Sequence, residues 1–83
     1  MITPNPVNLK FGDLDALYAS LPALQNRYQW QECWLATDSM LIQYQNTLCR
    51  LKPRKAGEIQ VKFVQGNPDT FQKVVGQLQE ALL

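Results

Sequence analysis

The sequence predicts a small α+β domain in which a helix, a three-stranded antiparallel meander and a second helix follow one another, both helices lying on one sheet face. Three observations carry this. Apolar residues recur at helical spacing near each end, at Leu14, Leu17, Tyr18, Leu21 and Leu24 and again at Phe71, Val74, Val75, Leu78 and Leu82. Between them the chain alternates apolar and polar residues, most regularly from Glu58 to Val64. With 83 residues, 46% hydrophobic and 18% charged, it is long enough for a single domain over residues 1–83 and too apolar for disorder.

Residues 1–8, with Pro4 and Pro6, read as an extended lead-in. Asp13 is placed to cap the first helix, and Pro22, which has no amide hydrogen, divides it into two short pieces ending near Tyr28. From Trp30 the texture suits an aromatic-rich strand, with Trp30, Glu32, Trp34 and Ala36 on one side and Gln31, Cys33 and Leu35 on the other. Thr37-Asp38 is a short connection. Met40, Ile42 and Tyr44 then form an apolar side opposite Leu41, Gln43 and Gln45. After Asn46-Thr47 the apolar parity moves to Cys49 and Leu51, with Leu48, Arg50 and Lys52 opposite, as a β-bulge near Asn46 would produce.

Leu41, Tyr44, Leu48 and Leu51 also fit a helix stopped by Pro53, but the strand at Glu58–Val64 needs a hydrogen-bonding neighbour. Residues 45–52 supply it through a hairpin loop over Lys52-Pro53-Arg54-Lys55-Ala56-Gly57. Asn67 caps the last helix and Pro68 takes its first position.

The catalytic inventory is poor. The chain has no histidine, so a general base would have to come from seven carboxylates, a lysine, a tyrosine or a cysteine. Asp13 and Asp15 suit a helix start better than a catalytic pair. Cys33 and Cys49 stand apart with no activating neighbour and read as reduced core thiols. Phosphate-binding glycine motifs and metal-ligand spacings are missing, so neither a cofactor nor a metal is expected, and the chain is read as non-enzymatic. It begins without a signal-peptide pattern and has no long apolar run, which makes the cytoplasm the expected location and a membrane an unexpected partner.

Charge is the positive signal. The net charge is only +1, yet Arg50, Lys52, Arg54, Lys55 and Lys62 hold five of the eight basic residues, with only Glu58 among them. Pairing across the hairpin gathers Arg50, Lys52 and Lys62 on one sheet face with Arg54 and Lys55 at its tip. Charge at a hairpin tip is often no more than solubility and edge protection. Leu41, Leu48 and Val64 would share the open face, as would Trp30 and Trp34 if their side of the strand faces outward. An apolar patch rimmed by cations suits an interface. The expectation is an adaptor or accessory subunit that docks an acidic protein partner through Trp30, Trp34, Leu41, Leu48 and the five cations, with a face-to-face homodimer as the specific form of self-association. The alternative is a single-stranded nucleic-acid binder in which the cations hold phosphates and the tryptophans stack on bases.

Overall fold

A computed structural model describes residues 3–36, 38–55 and 57–81. Thr37, Ala56 and Leu82, read above as parts of two connections and of the last helix, lie outside the described residues, as do the side chains of Leu14 and Leu35. The order is β1 (Val7–Lys10), α1 (Leu14–Tyr28), β2 (Glu32–Leu35), β3 (Met40–Tyr44), β4 (Thr47–Pro53), β5 (Glu58–Gln65) and α2 (Pro68–Ala81). The strands form one antiparallel sheet in the order β1-β5-β4-β3-β2. The α+β class stands, while the expected three strands become five.

Both additions have local causes. The lead-in does not end at Asn8, because Leu9 and Phe11 are buried and draw Val7–Lys10 against β5 with Val7 opposite Val61. The single bulged strand expected over residues 40–52 is instead a hairpin. Tyr44 faces Thr47 across Gln45 and Asn46, whose φ values of 48° and 63° are the left-handed pair a two-residue hairpin turn requires. A two-residue turn swaps apolar parity just as a bulge does, which is why the two patterns look alike in sequence. A register shift does occur, but between β4 and β5 at Leu48/Cys49.

The first helix is also whole. Asp13 caps it, its Oδ1 accepting from the Asp15 and Ala16 amides at 3.0 and 3.3 Å. Pro22 sits inside α1 without ending it. Pro22 is exposed, so its ring stays out of the core, while Leu17, Leu21 and Leu24 stay buried in register. At the far end Gln29 closes the helix in a left-handed conformation, φ 62°. The α2 start is as the sequence predicts: the Asp69 amide donates to Asn67 Oδ1 at 2.8 Å, and Pro68 opens the helix.

One continuous core results. Met40, Ile42, Cys49, Leu51, Ile59 and Val61 are buried on one side of the sheet and cluster with Leu17, Leu21 and Leu24 of α1 and Phe71, Val74, Val75 and Leu78 of α2. Both helices therefore cover the same face and leave the other to solvent. Phe63 meets Phe71 edge-on with ring centroids 5.7 Å apart.

The hairpin turn is clamped to the start of α2. Thr47 is fully buried, and its hydroxyl accepts from the Asn67 amide at 3.1 Å. Gly66, at φ 117°, lies so close that a Cβ there would stand 2.5 Å from the Thr47 Cα. Replacing Gly66 with alanine should therefore lower stability by about 2 kcal/mol or more, from dihedral strain and the backbone clash together. Urea denaturation checks this, and a loss near zero would mean that the approach of Gly66 to Thr47 is not a constraint.

Candidate interaction surface

The antiparallel register decides which side chains share the open face. Trp34 lies opposite Leu41, Leu41 opposite Arg50 and Arg50 opposite Lys62, so the four form one row across β2, β3, β4 and β5. On one side of it runs Glu32, Gln43, Leu48 and Gln65. On the other, Lys52 pairs with Gln60 and Gln60 with Asn8. Val64 falls at the register shift beside Leu48 and is 43% exposed, and Trp34 is 38% exposed. These two are the large hydrophobic residues most open to water among the described residues. Leu41 and Leu48 are half-buried by their neighbours.

The cations surround this strip. Arg50, Lys52 and Lys62 are exposed on the face, and Arg54 and Lys55 are exposed at the β4–β5 connection. That connection is closed by the Arg54 amide donating to the Glu58 carbonyl at 2.7 Å. Arg50 and Lys62 occupy directly opposed positions on neighbouring strands, an arrangement that like charges disfavour. Among the described residues neither is in an ion pair; the pair present there joins Arg27 to Glu80 at 3.3 Å, away from this face.

Trp30 lies elsewhere. It precedes β2 and is only 3% exposed, its indole N–H donating to Gln77 Oε1 at 2.7 Å and its ring stacked on Tyr28 at 5.9 Å. The expectation that Trp30 and Trp34 share a strand face assumes unbroken alternation. Instead the Gln31 amide reaches the Gln43 carbonyl at 2.8 Å while Glu32 also faces Gln43, so two residues span the width of one. Trp30 thus belongs to the core beneath α2. Of the nine residues expected at the site, the structure gathers Trp34, Leu41, Leu48, Arg50, Lys52 and Lys62 on the face, sets Arg54 and Lys55 at its end and removes Trp30. Sequence reasoning missed Lys10, which alternation along β1 places on the same side beside Glu58.

Both cysteines are free. Burial pushes the Cys49 thiol up to about 12 and raises Cys33 as well, the opposite of the shift that makes a nucleophilic thiolate. Among the described residues no group of three histidine, cysteine, aspartate or glutamate side chains could hold a metal ion. No described helix is long and apolar enough to cross a membrane. No protein-family model, curated protein or solved structure matches the chain.

The Cys49 shift has a sign that can be measured. Folded, the thiol keeps its proton to about 12, whereas in the unfolded chain it loses it near 9. The unfolded state then binds fewer protons, so Cys49 contributes stability below pH 9 that is lost as pH rises toward 12, with a slope of about 1.4 kcal/mol per pH unit at most. Urea titrations across that range should show stability falling less steeply in Cys49→Ala than in the parent. Equal slopes would mean the thiol is not sealed from water.

Proposed function

We propose that this protein is a non-enzymatic interaction module, an adaptor or accessory subunit, that binds an acidic protein partner on its open sheet face. The observation that carries the reading is the Arg50–Lys62 pair. Two cations held directly opposite each other in the middle of a sheet destabilise it, by about 0.2–1 kcal/mol for a cross-strand pair, and among the described residues neither is in an ion pair. A partner's carboxylates would relieve them. Beside them Trp34, Leu41, Leu48 and Val64 offer the apolar area that an interface needs at its centre, and Lys52, Arg54 and Lys55 extend the positive rim.

The same charge ranks the other occupants. A face-to-face homodimer would set Arg50 and Lys62 against cations of its mate, which favours a partner of opposite sign over a second copy. Single-stranded nucleic acid is the second reading, because an exposed indole in one row with two cations is also the arrangement that stacks a base and holds its phosphates.

Substitution separates a binding role from a structural one. Arg50→Gln with Lys62→Gln should raise the stability of the free protein by about 0.5 kcal/mol in urea denaturation, since it removes a repulsion. The same variant, and separately Trp34→Ala, should lose the partner in affinity capture from a native lysate. Retention of a stoichiometric protein that survives nuclease and moderate salt, and that is lost in both variants, supports the adaptor reading. Retention that vanishes with nuclease and weakens steeply with salt moves the function to nucleic acid.

A further inference from the structure

A second surface lies at the sheet edge and is built from other residues. Among the described residues no strand pairs with the outer side of β2. The Ala36 amide donates to the Ser39 carbonyl at 2.8 Å, and this sets the alternation of the β2–β3 ladder. Trp34 and Glu32 fall in hydrogen-bonded pairs with β3, whereas the amides and carbonyls of Cys33 and Leu35 turn to the free edge. Such a row is a template for one more strand, and proteins that do not use it blunt it with proline or lysine. The opposite edge is guarded in this way: Pro4 and Pro6 precede β1 and Lys10 ends it. Glu-Cys-Trp-Leu in β2 has neither proline nor lysine; its four residues and the bulge at Gln31 and Glu32 shorten the template to residues 33–35.

Alongside this edge runs a groove of about 250 Å³, predominantly apolar, between α1 and the sheet. Tyr18, Leu21, Pro22 and Gln25 line it from the helix, and Cys33, Trp34 and Met40 from the strands. An open strand edge beside an apolar helix–sheet groove meets both needs of an added peptide, main-chain bonds along its length and a pocket for an alternate side chain. Charge then narrows the occupant. From Gly12 to Cys49 the chain carries four acids, Asp13, Asp15, Glu32 and Asp38, and one cation, Arg27. Arg27 is paired to Glu80 and lies over the Tyr28 ring at 5.2 Å. Burial and then the Asp15 carboxylate raise the pKa of Tyr18, which lines the groove; Glu32 begins the edge strand, and Asp38 follows it.

We infer that β2 is a strand-addition site for an extended segment of a partner protein, one that bears lysine or arginine and seats one apolar side chain in the groove between α1 and β2. This site does not depend on the open-face reading, and it selects the opposite charge.

The test is an NMR titration of the isotope-labelled full chain with a short synthetic peptide that alternates lysine with leucine and valine. Two control peptides accompany it, one N-methylated at every backbone amide and one with glutamate in place of lysine. The expected shifts fall on the β2 amides and on α1 from Tyr18 to Gln25, and affinity drops about tenfold or more with either control, as loss of main-chain bonds or of charge complementarity requires. Asp15→Lys with Glu32→Lys, both exposed and outside the core, should reproduce the loss, while Arg50→Gln with Lys62→Gln should bind the peptide as the parent does. Four results overturn the proposal: no binding at millimolar peptide, indifference to N-methylation, shifts centred on Arg50 and Lys62, or concentration-dependent broadening of the β2 amides without peptide, which would assign the edge to a second copy. The first, second and fourth of these leave the open-face reading untouched, whereas the third would also count against an acidic partner there.

Discussion

The two left-handed residues Gln45 and Asn46 sort this protein's side chains into those that meet the core and those that meet water. Their dihedrals close β3 onto β4 with Tyr44 opposite Thr47, so Met40 and Ile42 fall opposite Leu51 and Cys49 on the covered face. Leu41 and Gln43 are thereby set against Arg50 and Leu48 on the open one. A slip of one residue at this turn would exchange the faces of β4 and bury Arg50. The turn also carries the end of the chain, since buried Thr47 receives the Asn67 amide and Gly66 packs against its backbone. The α2 cap, the β3–β4 register and the exposure of the basic row thus rest on one short connection.

Charge follows from the strand order built on that turn. The central strands β4 and β5 hold Arg50, Lys52 and Lys62, while β2 and β3 hold no cation at all and contribute Glu32. A net charge of +1 thus conceals a sheet that is positive on its open face and negative at its β2 edge. Interior strands are the costlier place for like charges, because each side chain has neighbours on both sides and fewer directions in which to move away. Arg50 and Lys62 are held there by the same register that packs Cys49 and Val61 inward, so folding does not relieve their repulsion.

The parts of the fold legible in the sequence are those where one physical pattern has one structural meaning. Ile59, Val61 and Phe63 read as a strand face, Asn67-Pro68 as a helix start, and Asp13 as a cap, and each is found so. The parts misread are those where two structures write the same pattern. A bulge and a two-residue turn both shift parity by one, and Gln45-Asn46 lacks the glycine that would mark a turn. Pro22 reads as a break unless its exposed side is known, and Pro4 and Pro6 obscure β1 although Leu9 and Phe11 bury. At the open face, Leu41, Leu48, Arg50, Lys52 and Lys62 are grouped correctly because bulge and turn predict the same faces on either side of Asn46. Trp30 is misplaced because Gln31 and Glu32 both face Gln43, a local excess of one residue that no composition signal announces.

The two proposed surfaces meet at Trp34, and the geometry of the sheet explains why that matters. A strand added along β2 continues each row of the open face by one position, because antiparallel pairing places its side chains beside those of β2. The row Trp34, Leu41, Arg50 and Lys62 would then begin with a side chain of the added segment packed against the indole. Covering Trp34 from the edge would extend the apolar half of the row and leave the cationic half open. An extended basic segment on β2 and an acidic surface centred on β4 and β5 would therefore overlap at Trp34 and leave the cationic half of the row to the acidic partner. Their opposite charges would also attract across the row, so either occupant should favour the other through Trp34 and the adjoining field. Were both proposed sites occupied, the exposed Trp34 would be the contact they share.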